Sequence, residues 1–347
     1  MVSFEVRRSD FEAWQPAPLE QVLGKGRYAT VYRCGLGAAK VLDLAGKSRD
    51  ARRQAYREHV VAVLQSLLLL EEVTPHVPFH YGATTSVHAG SLGFVLFLER
   101  FDGSLLDLGQ ELLVRSADWV QLAMQLLHAS LALALLFGVV HNDLYARNVL
   151  VRRLPRPSGI TYDVEGALYH TALGFLAVVT DYGIASGTLV GAATEPEVAR
   201  ASQRQKQPRP KAGFAFVPPR AHILHHDPPL PPFCRDPFTI LKGLTYGQHG
   251  LPNPPLPIRL WSAEAMTHVD ARLADFAEAA AQEQLFHHLF HPENLARFQL
   301  ELPEGEGGRR FSLRRGRRER LLEQATRSLE RLREEDAWLQ SGNETNK

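Results

Sequence analysis

The chain has 347 residues, of which 45% are apolar and 22% charged, with a formal net charge of +1. That length favours two coupled domains, the composition suits a soluble globular fold, and the near-zero charge excludes a global pull toward nucleic acid or membrane. Cys34 and Cys234 are too few for a disulfide scaffold, and Met1–Asp10 lacks the apolar run of a secretory signal, so an intracellular setting, cytoplasmic or nuclear, is expected. Apolar stretches such as Leu131–Val140 are short for a membrane span, and no membrane partner is expected.

The first hundred residues read as strands around one helix. Leu23–Arg33 has a glycine-rich turn between alternating residues, and Ala38–Leu42 is a short apolar strand. Arg49–Leu70 turns helical, with Tyr56, Val60, Val63, Leu64 and Leu67 on one stripe, and Pro75 and Pro78 close it. Leu92–Leu98 reads as a strand. Trp119–Phe137 is a strongly apolar helix stopped by Gly138. A polar loop follows over His141–Asn148, then a short strand at Val149–Val151 and a buried-type strand at Phe175–Thr180. Residues 186–260 are rich in proline, glycine and histidine, with poor periodicity. Helices resume over Ala263–Phe290, and a last helix covers about Glu319–Trp338.

Four segments carry chemistry. Gly24-Lys25-Gly26-Arg27-Tyr28-Ala29-Thr30-Val31 is a G-x-G-x-x-A-x-V loop, whose glycines allow backbone N–H groups to approach phosphate oxygens. Ala38-Ala39-Lys40 ends a strand from which the lysine can reach phosphates, and Glu58, eighteen residues on, can pair with it from the helix. In His141-Asn142-Asp143-Leu144-Tyr145-Ala146-Arg147-Asn148, Asp143 can accept a proton from an attacking hydroxyl and the Asn148 amide oxygen can ligate a metal. Asp181-Tyr182-Gly183 places a carboxylate at a strand end, suited to magnesium.

In this order the segments resemble the protein kinase superfamily over roughly residues 20–250. The resemblance implies an α+β, bilobal fold: an extension over 1–19, a small β-rich lobe over 20–101, and a larger, mainly helical lobe over 102–305 with an inserted hairpin near 153–174. A basic run and C-terminal helix occupy 306–347. It implies ATP and Mg²⁺ (or Mn²⁺) as cofactors and transfer of the γ-phosphate to a protein hydroxyl. Gly24, Lys25, Gly26, Ala29, Val31, Ala38 and Lys40 would line the nucleotide site, with Leu98 as gatekeeper and the backbone of Glu99 and Phe101 against adenine. Glu58 would orient Lys40, Asp143 would be the base with Arg147 beside it, and Asn148 and Asp181 the metal ligands. Asp236 would correspond to the helix aspartate that braces the catalytic loop.

The chain departs from the family pattern at several points. Asn142 stands where H-R-D has arginine, which implies that a loop phosphate is not the switch. Tyr182 replaces the phenylalanine of D-F-G, and Asp181 lies 38 residues after Asp143, with residues 153–174 suited to an extra hairpin. No A-P-E segment is present. These features resemble the divergent, distantly haspin-like Ser/Thr kinases of large DNA viruses, for which the setting would be the host cell. Tyr145 occupies the position where Ser/Thr kinases place lysine, and Arg147 one where tyrosine kinases often place arginine; Ser/Thr is taken as the acceptor. Two other functions stay open: a small-molecule phosphotransferase of the aminoglycoside or choline kinase type, and a pseudokinase scaffold.

Other clusters carry less. His222, His225, His226 and Asp227 near Cys234 fit no standard zinc spacing, and His287, His288 and His291 suit a half-buried helix face. The run Arg309–Arg320 can contact nucleic acid, an acidic partner or an import receptor, and Ser312 after two arginines resembles a basophilic phosphorylation site. The simpler expectation is a solvated linker ahead of a helix with exposed i,i+4 pairs.

Overall fold

The structure is a computed structural model, described here for residues 17–26, 29–44, 49–88, 91–187, 189, 231–248, 250–305 and 308–335. The architecture is α+β, with an antiparallel-sheet N-terminal region and a helical C-terminal region. Strands β1 (Val22–Lys25), β2 (Ala29–Cys34), β3 (Gly37–Asp43), β4 (His80–His88) and β5 (Ser91–Glu99) form one sheet in the order β1-β2-β3-β5-β4. Helix α1 (Arg49–Leu70) connects β3 to β4. Its buried face (Tyr56, Val60, Val61, Leu64, Leu68) belongs to the main core with Phe94 and Leu96 of β5.

After β6 (Gly103–Ser104) come α2 (Leu105–Leu112) and α3 (Ser116–Phe137). Ser104 caps α2 reciprocally with Asp107, and Gly138 ends α3 in the left-handed region at φ 65°. α3 is long and apolar enough to cross a membrane, but its apolar window is wholly buried within the protein, as the central helix of a core is. Residues Ala146–Asn148 make one 3₁₀ turn, followed by β7 (Val149–Val164) and β8 (Ala167–Val179). Then come α4 (Arg235–Tyr246), α5 (Leu256–Ala271), α6 (Ala280–Phe290), α7 (Pro292–Arg297), β9 (Arg309–Leu313) and α8 (Arg318–Glu335).

The short strand read at Val149 and the later one at Phe175 are the two ends of a single long hairpin, paired from Val149↔Val179 to Val164↔Ala167. Its polar, proline-containing middle concealed the continuity. The outer edge of β8 is closed by side chains and by loop backbone rather than by another strand. Gln121 accepts from Gly174 N–H (3.1 Å), Gln125 from Ala177 N–H (2.7 Å), and the His76 carbonyl from Val179 N–H (3.1 Å). These buried glutamines on an otherwise apolar helix satisfy backbone groups that an open edge would strand. Helix α4 lies where poor periodicity suggested loop. The run beginning at Arg309 is not a solvated linker: it forms β9, parallel to β7 from Ile160↔Arg309 to Val164↔Leu313. Phe311 and Leu313 are inward and fully buried, as alternation along a strand requires.

Candidate functional site

The β1–β2 hairpin pairs Gly24 with Val31 and Lys25 with Thr30, and Gly26 N–H closes the turn on the Ala29 carbonyl at 2.8 Å. Among the described residues a β-carbon at Gly24 would meet nothing within 4 Å, so packing against them does not account for the glycine. Arg27 and Tyr28 lie outside the described residues.

Lys40 sits centrally on β3, opposite Val31 on β2 and Leu96 on β5. Its ammonium reaches Glu58 Oε1 of α1 at 2.5 Å and Asp181 Oδ1 at 3.0 Å. Three residues far apart in sequence thus meet at one nitrogen. Burial opposes the lysine charge, but the Glu58 and Asp181 carboxylates outweigh it and hold its pKa above the ordinary lysine value. Burial likewise resists ionisation of Asp181, yet Lys40, by charge and by hydrogen bond, holds its pKa down, so this carboxylate is charged. Glu58, more deeply enclosed, is pushed up by burial against the pull of Lys40.

The loop from His141 is pinned from beneath. Asp236, in the first turn of α4, accepts from His141 N–H (2.7 Å) and Asn142 N–H (3.0 Å). His141 accepts from Asp143 N–H at Nδ1 (3.1 Å), which leaves Nε2 to donate to the Thr180 carbonyl at 2.8 Å. Tyr182 packs its ring on His141 with centroids 4.3 Å apart. Asn142 and Asp181 both adopt left-handed backbone with φ 67°, a region in which Asn and Asp are enriched. The Asn142 amide donates to the Ile184 carbonyl (3.2 Å) and Ser186 Oγ (2.9 Å) and accepts from Arg235 (2.9 Å). It therefore ties the Asp143 loop directly to the segment after Asp181, where Val140 and Ser186 also form a bridge.

Asp143 is one-quarter exposed (26%), and its carboxylate receives Arg147 (3.0 and 3.3 Å) and Asn148 Nδ2 (3.0 Å). The Asn148 amide nitrogen is also held by the Asp143 carbonyl (2.7 Å), so its oxygen is turned away from Asp143. Asn148 immediately precedes β7 and Asp181 follows β8, and the Thr180 N–H to Asn148 carbonyl bond (2.9 Å) sets these strand ends side by side. One carboxylate and one amide oxygen at the same sheet end are hard donors, which fits a magnesium-type cation.

At the junction of the two regions, Leu98 pairs with Ala38 and His80. Glu99 donates its N–H to the Phe79 carbonyl (2.9 Å), and its buried carboxylate accepts from Phe79 N–H (3.1 Å) and Arg152 (2.9 Å). Arg152 also reaches the Arg100 carbonyl (2.6 Å) and lies over the Phe101 ring at 5.0 Å. Sequence reasoning missed Arg152, and likewise Gln248, which accepts from Ala146 N–H at 3.0 Å. Neither stands in a motif; each is found only through its partner.

The remaining clusters resolve differently. His222, His225, His226 and Asp227 lie outside the described residues. Cys234 is buried, and burial raises its thiol to a pKa of about 12. His287 and His288 sit half-buried on α6, against Tyr169 and His268 respectively. Comparison with protein-family models and with curated proteins returned no match.

Proposed function

We propose that the chain is an ATP-dependent phosphotransferase of protein-kinase type, acting on Ser/Thr hydroxyls of a protein. The observation that carries this reading is the meeting of Glu58 and Asp181 at Lys40 Nζ, beside a loop that presents Asp143 and Asn148. A lysine kept charged, fixed by a helix carboxylate and facing a strand-end aspartate, is arranged to hold phosphate oxygens.

In this reading the β1–β2 turn covers the phosphates with backbone N–H groups and Gly24 leaves them room. Lys40 neutralises phosphate charge. Asn148 and Asp181 would hold magnesium, which when bound neutralises the transferring group. Asp143 orients the acceptor hydroxyl and takes its proton, and Arg147, paired with that carboxylate, stands where a cation can meet the departing charge. The acceptor enters from the exposed side, where Tyr145 is 46% exposed. The Asn142 ties to Ile184, Ser186 and Arg235 support activity without a phosphate on the loop.

The test is transfer of labelled γ-phosphate from ATP with magnesium to the protein itself and to a basic protein, with Asp143→Asn in parallel. Phosphoserine or phosphothreonine in the wild type only is the expected result. Label on aminoglycosides or choline but not on protein would replace the protein-kinase reading with the small-molecule one. Nucleotide binding without transfer to any acceptor would leave a scaffold.

A further inference from the structure

Helix α1 carries Glu58, so whatever fixes α1 sets the Lys40 geometry. Helix C-termini favour nearby cations, which complement the partial negative charge of unpaired carbonyls. The last turn of α1 has no basic residue of its own. The cations come instead from the far end of the chain. Arg317 donates to the Glu71 carbonyl at 2.9 Å, Arg320 pairs with the Glu71 carboxylate at 2.5 Å, and Arg309 pairs with Glu72. Ser312 N–H of β9 donates to the Glu72 carbonyl at 2.8 Å, and Glu72 takes a left-handed turn at φ 52° to present it.

The same segment is anchored on its other side. Arg310 (2.5 Å), Arg314 (2.8 Å) and Ser312 Oγ (2.8 Å) all converge on Asp163 Oδ2 of β7, and Gly166 N–H donates to its other oxygen at 3.1 Å. Arg315 pairs with Glu283 of α6 at 2.6 Å. Leu313, Leu321, Ala325 and Leu329 of β9 and α8 are buried in the main core. The segment therefore bridges the end of α1 to the β7–β8 hairpin and to α6.

We infer that Arg309–Glu335 is a built-in brace that positions Glu58 by holding the C-terminal end of α1, with Arg309, Arg317 and Arg320 as its positioning residues. Its relevance to catalysis rests on the phosphotransferase reading above. The brace itself does not. It spends Arg309, Arg310, Arg314, Arg315, Arg317 and Arg320 on carboxylates and carbonyls of this chain, so most of the run is not a free basic surface. A stably braced helix also needs no loop phosphate to bring it in, which agrees with Asn142 at the arginine position.

The test uses the full chain carrying Arg309→Glu with Arg320→Glu, and the same chain with Glu71→Arg and Glu72→Arg added to restore opposite charges. Amide exchange over residues 55–66 of α1, the transfer rate, KM for ATP and thermal melting are measured together. The reversal should raise α1 exchange about tenfold and lower kcat by a similar factor while melting stays cooperative, and the charge swap should return both. Unchanged α1 exchange in the reversal, or loss that the swap does not restore, overturns the brace. Loosened α1 with kcat at the wild-type value overturns its link to Glu58. Should the wild type transfer no phosphate, the functional reading fails, and α1 exchange with its rescue still decides the brace.

Discussion

Two of the aspartates that pair with arginine in this chain, Asp163 and Asp143, are built to opposite ends. Asp163 is 1% exposed and saturated: two arginines, a hydroxyl and a backbone N–H occupy its oxygens. Those donors overcome the burial that would raise its pKa and hold it down at about 2. Asp143 is 26% exposed, and its donors, Arg147 and Asn148, come from its own loop. A carboxylate that fastens a fold is most useful when every acceptor site is filled. One that receives a proton from a substrate must keep a side open to it. Access, rather than the number of charges nearby, separates the two.

The comparison breaks most sharply at Asp143. Under the proposed function, Asp143→Asn keeps the shape and the hydrogen bond from Arg147 while removing the base, so transfer should fall by roughly 10²–10⁴ with melting unchanged. A turnover equal to the wild type would sink the assignment. Lys40→Met should also abolish transfer, but at a cost in stability. It strands Glu58 in a buried site, a loss on the order of 3 kcal/mol. Adding Glu58→Gln should recover most of that stability and none of the activity, separating the fold contribution of the pair from its chemistry. A double variant that regained transfer would refute the role of Lys40.

A third expectation concerns the buried histidines near α1. Burial lowers His80 to a pKa of about 3, with the neighbouring His59 adding to the effect, and burial alone lowers His128 to about 3, against 6.5 when unfolded. Protons therefore bind preferentially to the unfolded chain between those values. Stability is complete above about pH 6.5 and declines as pH falls toward 3, by roughly 2 kcal/mol per histidine at pH 5. Urea midpoints followed from pH 7.5 to 5 should show this, and His128→Gln should flatten the slope by about one proton. An unchanged slope would show that His128 is not held neutral.

How legible each region was in the sequence follows from the same contrast. The grouping of Asp143, Arg147 and Asn148 was readable because the three lie at short spacings in one loop, within one turn and a 3₁₀ step of each other. Helices α1 and α3 were readable from apolar periodicity and from Gly138. Asp163 was not, because its arginine and serine partners lie more than 140 residues away, and its one local bond, from Gly166 N–H, is what any hairpin-turn aspartate can make. The arginine run read as solvated because charge density usually means exposure, and strand alternation at Phe311 and Leu313 was the one signal against it. Helix α4 was hidden in a proline-rich stretch, although Asp236 already hinted that something there had to reach the loop. The buried glutamines of α3 were absorbed into an apolar pattern, and only the open edge of β8 explains them.

The smallest expected effects sharpen the comparison from the other side. Asp163→Asn keeps the size of the side chain but withdraws the charge that two arginines share, and it should lower stability by about 2 kcal/mol. Arg297→Gln is the control. Arg297 makes a two-pronged pair with Glu264 (2.8 and 3.1 Å), geometry as good as any at Asp163, but the side chains are 59% and 38% exposed. Exposed pairs of this kind contribute at most about 1 kcal/mol, because water already satisfies both ions in the unfolded chain and salt screens them in the folded one. Urea midpoints at low and high salt should therefore separate the two variants: a clear loss with Asp163→Asn at either salt, and a small, salt-sensitive one with Arg297→Gln. Equal losses would mean that ion-pair geometry alone sets the stability of this chain, and the distinction between the saturated and the open aspartate would lose its physical basis.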